Sequence, residues 1–198
     1  MENMDLKSLI LQNDLNIDQE SVDVYKFLKQ SFPVHIDDNV FRFTYRSFYR
    51  MDSAGLTEEL KSRYFDFLKE KETSLQKILE DLHKIKTEKK INTYQFSFAT
   101  KLLHTIDNNL PIYDSQINYL FKFPGIKKNE SPIQWRINTY NSLKEKFYIL
   151  LNDNQIKLKI KEFKKKFNAD IISDLKMLDF MLWSLGKRLQ RDKKKWGK

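Results

Sequence analysis

"FSFATKLLHTIDNNLPIYDSQI", residues 96–117, decides how the rest of the chain is read. Phe96, Phe98, Ala99, Leu102 and Leu103 recur at helical spacing, which predicts a helix over about 94–107. The "NNLP" that follows breaks it, because proline cannot continue a helix and biases the residue before it toward extended backbone. Asp114 then stands where an N-cap belongs for "SQINYLFKF". Two side chains stand out within this helix–break–helix unit. Lys101 lies inside the apolar pattern, and Asp114 follows it thirteen residues later, just after Pro111-Ile112-Tyr113. Each has an ordinary reading, as a lysine snorkelling to the surface and as a helix cap. Each also has a chemical one, which depends on the two converging in space.

The same three- and four-residue periodicity runs almost everywhere. It predicts an all-α, compact multi-helix domain of about eight to ten helices. An early pair covers about 3–12 and 19–31, the second closed by Pro33. "DNVFRFTYRSFYRM" (38–51) reads as a third helix, with Gly55 marking the turn after it. Residues 56–85 read as one long helix or two, with Leu60, Phe67, Leu68, Leu75, Ile78, Leu79 and Leu82 among the apolar positions. "FPGIKKNESP" is the clearest loop. Ser131-Pro132 starts a helix running to about Leu151. "IKLKIKEF" fits a helix, although it also alternates as a strand does. The last helix, near 173–190, takes Ser173 or Asp170 as its cap. No repeat or flexible linker divides the chain, so a single domain over 1–198 is expected, with no marked boundary between any two lobes.

Composition narrows the chemistry. Among 198 residues there are four Gly, four Pro, fifteen Phe, nine Tyr and three Trp, a balance that favours a packed helical protein over disorder. There is no cysteine, which excludes disulfides, thiolate catalysis and cysteine-bound metals. His35, His83 and His104 lie far apart, without the paired spacing of a metal site, so neither a metal nor a cofactor is expected. No apolar run reaches the roughly 18–20 residues that span a bilayer, and "MENMDLKSLILQND" lacks a signal-peptide layout. A cytoplasmic monomer away from membranes is the expectation. Protein partners have no signature.

The charge is unevenly placed. Residues 1–156 carry 22 basic and 22 acidic side chains, whereas 157–198 carry 14 and 5, so the whole net charge of +9 lies in the last 42 residues. A surface facing a polyanion follows, nucleic acid before acidic membrane. A solvated lysine tail is the plainer alternative.

At "FATKLLHTIDNNLPIYDSQI" the chain resembles the helix–hairpin–helix DNA glycosylase superfamily, and in particular bacterial proteins similar to 8-oxoguanine DNA glycosylases. In that superfamily a lysine begins the helix after the hairpin, and an aspartate follows a Pro-containing segment at the start of a later helix. Lys101 and Asp114 match those positions. "FYRMDSAGLTEELKSRYFDFL" (48–68) and "ISDLKMLDFMLWSLGK" (172–187) look like the same group, so the resemblance touches about 60 of 198 residues. It implies a DNA-binding repair enzyme, a hydrolase that excises a flipped damaged purine such as 8-oxoguanine, with or without AP-lyase chemistry; the alternatives are a non-catalytic nucleic-acid-binding helical domain on the same scaffold and a helical protein-interaction module. The chain departs from the pattern in two ways. No glycine stands between Gly55 and Gly125, where the hairpin motif has its phosphate-approaching glycines, and the lysine-to-aspartate interval is shorter than usual.

The resemblance implies roles that chemistry can check. Breaking an N-glycosidic bond builds positive charge on the sugar, which a carboxylate such as Asp114 would stabilise. A lysine among apolar neighbours can shed its proton, as a Schiff-base nucleophile must, and Lys101 is that candidate. His104, one helical turn on, is a candidate for substrate binding or a core histidine. Tyr113 could contact substrate or pack. Asp179 sits among Leu175, Leu178, Phe180, Leu182 and Trp183, where an ionised group needs a partner; it reads as an ion pair, a cap, or a carboxylate reading a base. Trp183 and Trp135 could stack on an extruded base or belong to the core.

DNA is the expected partner. Lys84, Lys86, Lys89 and Lys90 precede the Lys101 helix, where they could replace the missing glycines electrostatically. Lys164, Lys165, Lys166, Lys187 and Arg188, followed by Arg191 and Lys193–Lys195, could neutralise phosphates without reading sequence.

Overall fold

A computed structural model describes residues 5–13 and 15–196 of the chain. Ten helices follow one another: α1 (Leu6–Gln12), α2 (Gln19–Ser31), α3 (Asn39–Phe48), α4 (Glu58–Glu70), α5 (Leu75–Lys84), α6 (Phe96–Ile106), α7 (Ser115–Phe121), α8 (Pro132–Asn152), α9 (Asn154–Lys166) and α10 (Asp174–Trp196). Among the described residues the only β feature is an isolated bridge between Lys86 and Asn92. The all-α expectation holds. The expected start of the first helix, at residues 3 and 4, lies outside the described residues.

Helix starts follow local chemistry. Asp18, Asp38, Ser74, Asp114, Ser131 and Asp153 each accept a hydrogen bond from a first-turn backbone N–H, satisfying groups that the helix cannot satisfy itself. Ser173 Oγ does the same for Lys176 N, which selects Ser173 over Asp170. The 56–85 segment is two helices, because Lys71 turns left-handed (φ 53°) and Ser74 starts a new cap. The alternating "IKLKIKEF" is helical. Ile156, Ile160 and Phe163, at i, i+4 and i+7, are buried, while Leu158 faces out.

The helix α10 is buried on nearly every side. Leu175, Met177, Leu178, Phe180, Met181, Leu182 and Leu185 are all buried, and the one arc they leave carries Lys176, Asp179, Trp183 and Lys187. Such a helix runs through the interior, and α10 packs against α1, α7, α8 and α9. Its approach to α7 is very close. A Cβ placed on Gly186 would lie 2.9 Å from Gln116 Cβ and 3.2 Å from Gln116 O, so only glycine fits there without displacement. The start of α7, which carries Asp114, is thereby set against the middle of the central helix.

Candidate active site

Lys101 and Asp114 are brought together by the residues beside them. Thr100, fully buried, accepts the Tyr113 N–H at 3.0 Å through its Oγ1, and the same hydroxyl lies 3.0 Å from Ser97 O and 3.3 Å from Tyr113 O. One hydroxyl therefore staples α6 to the extended segment before α7. The segment is pinned twice more. His104 Nδ1 lies 2.7 Å from Leu110 O, and the Tyr140 hydroxyl donates to Pro111 O at 3.1 Å. Asp114 comes next in the chain and caps α7, its Oδ1 accepting from Gln116 N and Ile117 N at 2.9 Å each.

Lys101 projects from α6 into a cavity of about 910 Å³ that Asp114, Asp179, Trp183, Lys176 and Gln116 also line. Its Nζ lies 4.6 Å from the Phe98 ring and 5.7 Å from that of Tyr49. It makes neither an ion pair nor a hydrogen bond among the described residues. Burial pushes its pKa down to about 8. Asp114 and Asp179 oppose the fall, while Lys176 and Arg50 add to it. Roughly a tenth of the amine is therefore neutral at pH 7. Behind Lys101, a chain of hydroxyls ends on its carbonyl: Tyr64 and Tyr45 are 2.8 Å apart, Tyr45 and Thr105 2.8 Å, and Thr105 Oγ1 donates to Lys101 O at 2.8 Å. With one proton per hydroxyl, the donation runs from Tyr64 through Tyr45 and Thr105 to Lys101.

Asp114 is pushed the other way. Burial raises its pKa, the nearby Asp179 adds to the rise, and the two cap N–H bonds and Lys101 counter it. Only Oδ1 is engaged by the cap, which leaves Oδ2 without a hydrogen-bond partner among the described residues.

Across the cavity, Asp179 forms a buried ion pair with Lys176, Nζ to Oδ2 2.7 Å, which is the ion-pair reading of that residue. Phe180 and Tyr25 rings stand 4.6 and 4.9 Å from the Lys176 ammonium. Trp183, one turn on from Asp179, lines the same wall, with Lys187 Nζ 4.2 Å from its ring. Gln116 Oε1 is a buried acceptor with no partner. The site thus combines aromatic walls with three lysines, Lys101, Lys176 and Lys187, and the carboxylates of Asp114 and Asp179, with Asp18 and Glu20 also on the lining.

Other expected site residues lie elsewhere. His104 is not at the cavity wall. It is fully buried, with Nε2 2.8 Å from the Tyr25 hydroxyl and Nδ1 on Leu110 O. Burial lowers its pKa to about 3, so it is neutral, with Nδ1–H donating to the Leu110 carbonyl, and the Tyr25 hydroxyl beside Nε2 also lies 2.8 Å from Asn108 Oδ1. Its work is to hold the 110–113 segment. Tyr113 does not line the cavity and packs on Phe96 with tilted rings, centroids 4.3 Å apart, and Trp135 is held by Nε1–H donation to Pro124 O.

The lysines separate into groups. Lys86, Lys89 and Lys90 are exposed on a tight turn between α5 and α6, in which Thr87 N–H donates to Ile91 O at 2.9 Å. Glu88 N–H of that turn donates to Gly55 O, tying it to the loop whose Arg50, Ser53 and Ala54 line the cavity. Lys84 is paired with Asp81, and Lys164 with Asp174. Lys165 and Lys166 are exposed at the end of α9 and do not line the cavity. Lys187 does line it, and Arg188 is 3.9 Å from Asp192. The side chains of Lys194 and Lys195 lie outside the described residues.

Sequence reasoning missed Lys176, Thr100, Gln116 and Arg50. Lys176 had a readable signal, a second charge three residues before Asp179 on the same apolar helix. Thr100 had none, since only the fold shows what its hydroxyl bridges. No group of His, Asp or Glu suited to a metal ion occurs among the described residues, and no described helix is long and apolar enough to cross a membrane. No protein-family model matches the chain, and neither a curated protein nor a solved structure matches it significantly.

Proposed function

We propose that the protein is a base-excision DNA glycosylase with AP-lyase chemistry, acting on a damaged purine flipped into the cavity. Lys101 is the nucleophile and Asp114 the carboxylate that stabilises charge on the sugar. One observation carries the reading: an unpaired, partly buried lysine with a pKa near 8 shares a cavity with a carboxylate whose second oxygen is open.

The neutral Lys101 amine attacks C1′ as the C1′–N bond breaks, and the base leaves with the bonding electrons and takes up a proton. Asp114 offsets the positive charge that develops at C1′. Loss of a proton from nitrogen and opening of the sugar ring, with the ring oxygen protonated, give a Schiff base. Elimination of the 3′ phosphate or hydrolysis by water follows. An extruded base needs a flat apolar wall and polar groups at its edge. Trp183 and Phe180 suit the first need, and Asp179 and Gln116 suit the second. The lesion class, 8-oxoguanine, comes from the family resemblance. The exposed Lys86, Lys89 and Lys90, tied through Gly55 to the cavity rim, suit phosphate contacts without glycines.

The test is a panel of duplexes carrying 8-oxoguanine, uracil, alkylated bases or an abasic site. Strand cleavage at one of them, abolished in Lys101→Ala, supports the reading. Salt-dependent DNA binding without cleavage at any of them favours a binding domain that performs no chemistry.

A further inference from the structure

Of the carboxylates that line the cavity, Asp114 and Asp179 act on Lys101, and neither is paired with it. Asp114 is held by the backbone N–H groups that it caps. Asp179 is held by Lys176 at 2.7 Å, in a pair almost sealed from solvent. Lysine and carboxylate in a partly dry cavity otherwise attract strongly, and a lysine so paired stays protonated and unreactive. The absence of a counter-ion at Lys101 therefore has a structural cause on each side.

We propose that Lys176 is a positioning residue: its buried ion pair occupies the Asp179 carboxylate, and this leaves the Lys101 amine without a counter-ion and able to react. Lys176 does not touch the reacting atoms. It acts through Asp179 and through its own charge, which opposes a second ammonium nearby. The packing supports this assignment, because the Tyr25, Phe48 and Phe180 rings hold the Lys176 ammonium 4.6–5.7 Å from their centroids and fix it against Asp179. The other ionisable groups of the cavity are Asp114 at the start of α7, Tyr49 and Arg50 after α3, Lys187 on α10, and Asp18 and Glu20 at the start of α2. Among these, Asp114 and Arg50 act on Lys101 in opposite directions. Removing Lys176 leaves them in place and frees Asp179.

The inference rests on Lys101 being the reactive amine, so its test uses no DNA. Competitive labelling with trace acetic anhydride, followed by peptide mass spectrometry, gives the pH midpoint at which Lys101 becomes nucleophilic. The wild-type midpoint is expected near 8. In Lys176→Met it rises by about one unit or more, a roughly tenfold loss of neutral amine near neutral pH. In Asp179→Asn, which keeps the shape of the pair but leaves the Lys176 charge uncompensated, it falls. Lys176→Arg leaves it near the wild-type value. A merely structural role would not move the two midpoints in opposite directions. An unmoved or lowered midpoint in Lys176→Met overturns the proposal. If that variant does not fold, an unmoved or raised midpoint in Asp179→Asn overturns it instead. Opposite shifts without cleavage of any duplex would sink the glycosylase reading and leave this one standing. Cleavage without shifts would do the reverse.

Discussion

Thr100→Val tests how the site is assembled. Valine keeps the shape of threonine and removes the one hydroxyl that joins α6 to the segment before Asp114. Two consequences follow from the geometry. The Tyr113 N–H, which donates to Oγ1 at 3.0 Å, loses its acceptor, and the carbonyls of Ser97 and Tyr113 lose a donor. An orphaned buried N–H costs about 1–3 kcal/mol. The added methyl recovers some of that by burying apolar surface, so a net loss of about 1–2 kcal/mol is expected. For a domain of this size that lowers the melting temperature by roughly 2–8 °C. The functional effect should be larger than the stability effect implies, because Thr100 and Tyr113 directly precede Lys101 and Asp114. Displacing a reacting group by about 1 Å can cost on the order of a hundredfold in rate. Urea denaturation, together with the initial rate of Schiff-base trapping on an abasic duplex, measures both. Thr100→Ser keeps the hydroxyl and should stay close to the parent in each. A Thr100→Val protein that matches the parent in stability and trapping rate would refute the staple.

Asp114→Asn should fold with nearly native stability, because asparagine caps α7 as well as aspartate does, while trapping falls by at least tenfold with the charge; Asp114→Ala should lose about 1 kcal/mol as well. Chemical denaturation and trapping, run on both variants, separate cap from charge. Lys101→Met should stabilise the fold at pH 7 by on the order of 1–3 kcal/mol, because it removes a partly buried ammonium. The sign follows from linkage. The folded pKa of about 8 lies below the ordinary 10.5, so the unfolded chain binds more protons between these values, and wild-type stability gains with rising pH across that window. The advantage of Lys101→Met should therefore shrink from pH 8 toward 10.5, and a variant less stable than the parent at pH 7 would contradict the assignment. Gly186→Ala forces a Cβ to 2.9 Å from Gln116 Cβ. Overpacking of about 1–3 kcal/mol outweighs a helix-propensity gain of about 1 kcal/mol, and a lower melting temperature with slower trapping is expected.

Most of the helices were readable because they carry their own start signal and periodicity; α6 is the exception at its start, where Gln95 makes no side-chain cap hydrogen bond. Asp114, Ser131 and the apolar steps around Lys101 needed no tertiary information. Contacts between distant segments could not be read in this way. His104 looked available for substrate one turn from Lys101, yet a helix face does not reveal that Tyr25, seventy-nine residues away, takes its Nε2. Asp179 advertised the need for a partner, and the partner was three residues upstream. Whether Lys101 had a counter-ion was invisible, because it depends on what holds Asp114 and Asp179. The lysine clusters looked alike as charge runs, but only the fold separates Lys187, on the cavity wall, and the exposed Lys86, Lys89 and Lys90 from Lys164, which is paired with Asp174.

The most direct test of the central claim is borohydride trapping on 8-oxoguanine and abasic duplexes, with the cross-linked residue identified by peptide mass spectrometry. The account predicts a covalent protein–DNA adduct on Lys101 that rises with pH toward about 8 and vanishes in Lys101→Ala. An adduct on another lysine, or none on either duplex while the protein is folded and binds DNA, would contradict it.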